Sequence, residues 1–212
     1  MRTVAALATI VLLLTGCGTS EEPDEGGSEP PTTSASPTPE DIDLGAVCEV
    51  LGEAVTLPNS GVVEYTAVYN EPPGWATDAP VCDIEPEGEY YDIAAEAGEF
   101  GRAEFDYGAI TEERAQERGY PEYTPGTAAE LLTVDQAQPL RDEVPCANEP
   151  CEDGIHGHQY NFRFETVMEG LAVIAQFDYI TTDVNGDLRP EHRGQAIASF
   201  IASADAVAAE IL

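Results

Sequence analysis

The spacing of hydrophobic and polar residues changes several times along this chain, and each change marks an element. Thr3 to Leu14 is an almost unbroken apolar run behind Met1 and Arg2, and from Gly18 to about Asp41 apolar residues nearly vanish. Ile42, Leu44, Val47, Cys48 and Leu51 then recur at helical spacing, with Gly52 placed to stop the helix. Val62 to Tyr69 is β-branched and aromatic and predicts a strand, followed by a proline- and glycine-rich loop, Asn70 to Pro80. Val81 to Ile84 predicts a short strand before a turn at Pro86-Glu87-Gly88. Tyr90 to Ala97 and Ala103 to Tyr107 predict two more strands, the second alternating Ala103, Phe105 and Tyr107 with charged neighbours.

Thr111-Glu112-Glu113 starts a helix with a capping hydroxyl and first-turn acids, and Gly119 ends it. Thr127 to Gln136 fits a short helix or a strand, and the pattern does not choose between them. Pro139 to Gly157 is irregular. Tyr160, Phe162 and Phe164 alternate on one face; Met168-Glu169-Gly170 makes a turn, and Leu171 to Ile180 returns as a buried strand, which predicts a hairpin. The last element is a helix from about Pro190 to Leu212, with Ile197, Phe200, Ile201, Ala204, Val207, Ala208 and Ile211 in one apolar stripe. Strands in neighbouring hairpins flanked by helices predict an α+β fold: an antiparallel sheet with N-terminal and C-terminal helices packed on it, stapled by disulfides.

The ends of this pattern carry a location. A basic start, an apolar stretch too short to span a bilayer comfortably and small residues before a cysteine describe a secretory signal peptide. Leu14-Thr15-Gly16-Cys17 resembles the lipobox of bacterial lipoproteins. That resemblance implies cleavage before Cys17, a diacylglycerol on its thiol and acylation of the new amine. Residues 1–16 are then a signal peptide, 17–41 a lipidated disordered tether and 42–212 a single α+β domain. The tether, rich in Gly, Ser, Thr, Pro and acid, has nothing to bury against the entropy of ordering itself. As a coil of about 24 residues it spans roughly 25–30 Å. That lifts an acidic domain clear of an anionic surface by more than the ~8 Å Debye length.

Charge narrows the chemistry. Eight basic residues face 41 acidic ones for a formal charge of −33, and the chain has no lysine. Schiff-base and phosphate-loop lysine chemistry are excluded, and nucleic acid is repelled as a partner. The acidity serves first to keep a surface protein soluble; cationic ligands, basic proteins and divalent ions stay open. With Cys17 set aside, Cys48, Cys82, Cys146 and Cys151 remain, an even number that reads as two disulfides outside the cytoplasm. Three pairings are possible; order along the chain favours Cys48–Cys82 and Cys146–Cys151.

The helix at Ala46-Val47-Cys48-Glu49-Val50-Leu51-Gly52, following a lipoprotein tether, with a second cysteine, Cys82, on a strand, resembles a group of small actinobacterial lipoproteins of unknown function. The likeness covers roughly residues 42–107. It implies a compact envelope domain with Cys48 and Cys82 as disulfide partners, and brings no activity with it.

Four patterns are weighed as sites. Cys146, Cys151, His156 and His158 are the ligand types of tetrahedral zinc, although in an oxidising compartment the two cysteines are expected to bond to each other. Asp183, Asn185 and Asp187 begin like a calcium loop, but glycine stands fourth rather than sixth, and Gly194 occupies the twelfth position, where a bidentate carboxylate belongs. Trp75, the single tryptophan, lies in the Pro-Pro-Gly-Trp loop and is a candidate for stacking on a ligand. No Gly-x-Ser-x-Gly motif is present, and the carboxylates are too numerous for one pair to stand out. The expected function is a non-enzymatic binding or interaction domain held at the outer face of a membrane. Its partners are the membrane, through the lipid anchor, and an envelope protein or small ligand. No cofactor is expected beyond the covalent lipid at Cys17. The competing expectation is an envelope metal-dependent enzyme or a zinc- or calcium-binding protein.

Overall fold

Six strands form one antiparallel sheet in the order β1-β2-β3-β6-β5-β4. The computed structural model describes residues 42–71, 81–140, 157–182 and 190–211. Along the chain these give α1 (Leu44–Ala54), β1 (Tyr65–Tyr69), β2 (Cys82–Pro86), α2 (Tyr90–Ala97), β3 (Glu99–Ala109), α3 (Glu112–Arg118), β4 (Leu132–Leu140), β5 (Gly157–Met168), β6 (Leu171–Thr181) and α4 (Pro190–Ile211). The expected α+β architecture is present: α1 and α4 lie side by side on one face of the sheet.

Local chemistry sets the element ends. The Asp43 carboxylate caps α1 by accepting from the Gly45 and Ala46 amides at 3.0 and 3.2 Å. Gly52 does not stop this helix, which runs on to Ala54. A Cβ there would come within 2.6 Å of the Ala67 Cβ, so glycine lets α1 lie directly on β1. Thr111 caps α3, and Gly119 follows its end. The ambiguous stretch resolves into both options, a 3₁₀ turn over Ala128–Leu131 leading into β4. The β5–β6 hairpin closes through Glu169 and Gly170, both at positive φ, as a tight two-residue turn requires.

Two expectations need correcting. The first strand begins at Tyr65 rather than Val62, and Tyr90–Ala97 is a helix, not a strand. Tyr90, Ile93, Ala94 and Ala97 recur at i, i+3, i+4 and i+7, and that stripe packs on Phe100, Ile180 and Val63.

The main core lies between the sheet and the α1/α4 layer. Phe177 meets Phe105 and Phe164 edge-on at 5.8 Å each, and Phe164 stacks on Phe200 of α4 at 4.5 Å. Cys48 and Cys82 are bonded, with 5.5 Å between their Cα atoms, joining α1 covalently to β2. The Tyr107 hydroxyl donates to the Leu44 carbonyl at 2.7 Å and fixes the start of α1 over β3.

Candidate functional site: the polar face and free edge of the sheet

Alternation along the long strands sends a second set of side chains to the face opposite α1 and α4. It comprises Asp83 and Glu85 from β2, Arg102, Glu104 and Asp106 from β3, Asn161, Arg163 and Glu165 from β5, and Gln176 and Asp178 from β6. Among the described helices, α2 packs on this face, at the end marked by Phe100 and Ile180.

Asp178 is the hub. Its side chain is 1% exposed, and it takes Nε and Nη2 of Arg102 at 2.9 and 2.8 Å. The Asn161 amide also donates to it, as does the Gln176 amide at 3.3 and 3.4 Å. Burial alone would lower the Arg102 guanidinium, but the Asp178 carboxylate outweighs it and the net shift is upward. Burial raises Glu104, with Arg102 opposing and the neighbouring carboxylates reinforcing. Burial also raises Asp83, helped by Glu85 and opposed by Arg102 and by the Asn70 amide, which donates to it at 2.7 Å. Asp178 is saturated with donors and serves as a fixed anchor for its neighbours. Of the other acids on this face, Glu104 pairs with Arg102 at 3.7 Å and Glu165 with Arg163 at 2.9 Å.

At the start of β3, on the α4 side of the sheet, His192 from the first turn of α4 is 4% exposed. Its Nε2 lies 2.6 Å from Glu99 Oε1, and its ring lies over Tyr160 with centroids 4.6 Å apart. The Nδ1 atom of His192 is buried without a hydrogen-bond partner among the described residues, and the Tyr179 ring stands edge-on to it with centroids 6.2 Å apart. Burial lifts the Tyr179 phenol well above its ordinary range, keeping it protonated. The histidine of this pair is buried and the glutamate is partly exposed, and together they fasten α4 to the start of β3.

The third region is the β1 edge. Val62, Val68 and Tyr69 are 75%, 47% and 39% exposed, and all three lie on or beside this strand. A cavity of about 250 Å³ opens next to it, walled by Val62, Val63, Ile93 and Ala97 and rimmed by Glu64, Glu87 and Glu96. The Thr66 hydroxyl donates to Glu87, tying the rim to β1.

Of the sites expected from sequence, Cys48 and Cys82 form the disulfide, and His158 stands in β5 opposite Thr181. Cys17, Trp75, Cys146, Cys151, His156, Asp183, Asn185 and Asp187 lie outside the described residues. Among the described residues no group of three or more His, Cys, Asp or Glu side chains is placed to hold a metal. No helix among them is long and apolar enough to cross a membrane. Sequence reasoning missed Asp178, Arg102 and His192. The signal for Asp178 was present: Gln176 and Asp178 fall at alternate positions of the β6 run and mark a polar side to a strand taken as wholly buried. Comparison with known protein families, curated proteins and solved structures returns no match.

Proposed function

We propose that the chain is a membrane-anchored extracytoplasmic lipoprotein whose α+β domain acts as a binding or interaction module. The lipobox-like Leu14–Cys17 stretch and the acidic tether support the anchor. The Cys48–Cys82 bond supports an oxidising compartment. The observation that carries the binding role is the gathering of Val62, Val68 and Tyr69, together with an acid-rimmed cavity, on one edge of the sheet.

Photo-crosslinking in intact cells tests this reading. A crosslinker placed at Val62 or Val68 of the full chain is expected to trap a discrete adduct in the membrane fraction. The same probe at Glu113 in α3 is expected to trap none. Equal adducts at all three positions, or no adduct at any, overturn the binding role. Cys17→Ala is expected to leave an unprocessed precursor or release the protein from membranes; normal size with unchanged retention rejects the anchor.

A further inference from the structure

Among the described residues, one side of β1 has no strand partner. Asn70 N donates to Val81 O and Glu87 N to Glu64 O, both at 2.8 Å, so the backbone groups of even-numbered residues 64 to 70 face β2. Those of Tyr65, Ala67 and Tyr69 therefore point away from β2, at the end of the sheet order, where no described strand pairs with them. The strand itself, Tyr-Thr-Ala-Val-Tyr, contains none of the lysines, prolines or bulges that usually protect an edge.

We propose that β1 accepts an extended basic polypeptide segment as a seventh strand, with one lysine or arginine side chain of that segment seated in the cavity beside it. The proposal rests on the interaction-module reading and names its partner.

Charge complementarity selects the occupant. On the α2 side of the sheet, Glu64, Thr66 and Val68 are flanked across the ladder by Glu87, Glu85 and Asp83, and Glu96 of α2 completes the cavity rim. The cavity lining contains no basic residue. Its apolar walls suit the methylenes of a long basic side chain, and its three carboxylates suit the charged head. On the other side of β1, Tyr65, Ala67 and Tyr69 are uncharged and ask for apolar neighbours. An added strand therefore has a required period of two, basic on one face and apolar on the other. A second copy of this chain fits poorly, because it brings another −33 charge and the same carboxylates to the same rim.

The test uses the full chain in zwitterionic detergent at about 0.15 M salt. Three labelled heptapeptides are compared by fluorescence anisotropy. One alternates arginine and valine, one has the same composition with its arginines grouped at one end, and one is the alternating peptide N-methylated at every other amide. The alternating peptide is expected to bind at least about tenfold more tightly than either control. Replacing Glu64, Glu87 and Glu96 together by Gln is expected to remove most of that preference, with circular dichroism confirming that the variant is folded. Equal binding of the alternating and grouped peptides leaves only general attraction to a polyanion and overturns the proposal. So does self-association of the chain, seen by sedimentation and displaced by the peptide, which would assign β1 to a second copy. Crosslinks at Val62 and Val68 without peptide preference leave the interaction module standing and remove the basic strand. Absence of both removes both.

Discussion

On the α1/α4 side of the sheet, Phe105, Phe164 and Phe177 interlock with Phe200; one position along the same strands, Glu104, Arg163 and Gln176 begin a layer held together around Asp178. The two faces are made from the same three long strands and obey different rules. The aromatic face gains from area removed from water, roughly 25 cal/mol per Å², and tolerates exchange of one apolar shape for another. The polar face gains little from area. Asp178 is bonded to Arg102 of β3 and Asn161 of β5, so it fixes the register of three strands at once. A slip of one residue would carry Asp178 into the aromatic layer. The first face supplies most of the stability, and the second selects one alignment.

Four changes test that division, from the largest expected effect down. Phe177→Ala removes the ring at the centre of the aromatic layer and is expected to cost about 3–5 kcal/mol in urea unfolding. Phe177→Leu should recover much of the loss; equal losses would mean that shape, not area, governs this face. Replacing Cys48 and Cys82 together by serine opens a closure with a sequence separation of 34 and is expected to cost about 3–4 kcal/mol. An unchanged thermal midpoint would show that α1 is held by packing alone. On the polar side, Arg102→Met leaves a buried carboxylate without its main partner and is expected to cost about 1–3 kcal/mol. In the double variant with Asp178→Leu the cost should be smaller than in the single one, and strict additivity would deny the pair its role.

The smallest effect is one of pH. Glu104 and Asp83 have raised folded pKa values, mainly from burial, so the folded chain holds their protons more tightly than the unfolded chain. Their contribution to stability is therefore fully present below the ordinary carboxylate pKa of about 4 and is lost as pH rises through the raised values. Mild acidification from neutrality should stabilise the domain. Self-repulsion from the −33 charge slopes the same way, so the informative quantity is a difference. Glu104→Gln should flatten the dependence of the urea midpoint on pH, and an unchanged slope would assign the effect wholly to global charge.

Much of the fold was legible because burial on one side writes a period into the sequence. Ala103, Phe105 and Tyr107, and Tyr160, Phe162 and Phe164, give strands of period two, and the stripe from Ile197 to Ile211 gives α4. The error at Tyr90–Ala97 arose where composition and period disagreed. Tyrosine and isoleucine favour a strand, but the spacing is helical and Gly98, in the left-handed conformation, caps the end. The place of β1 at the end of the described sheet was not legible, because strand order depends on how distant segments pair. The cavity was hidden for the same reason: Glu64 leads into β1, Glu87 follows β2 and Glu96 lies in α2.

The Cys48–Cys82 bond also decides how the domain carries load. A pull on the chain from the side preceding Leu44 can straighten α1 only as far as Cys48. There the force passes through sulfur into β2, which is held between β1 and β3. The backbone of β1, between the two cysteines, is bypassed, and the load passes from β2 into the β2–β3 ladder. Pulled from that side, the domain gives up little more than the first turn of α1 before the load reaches the sheet.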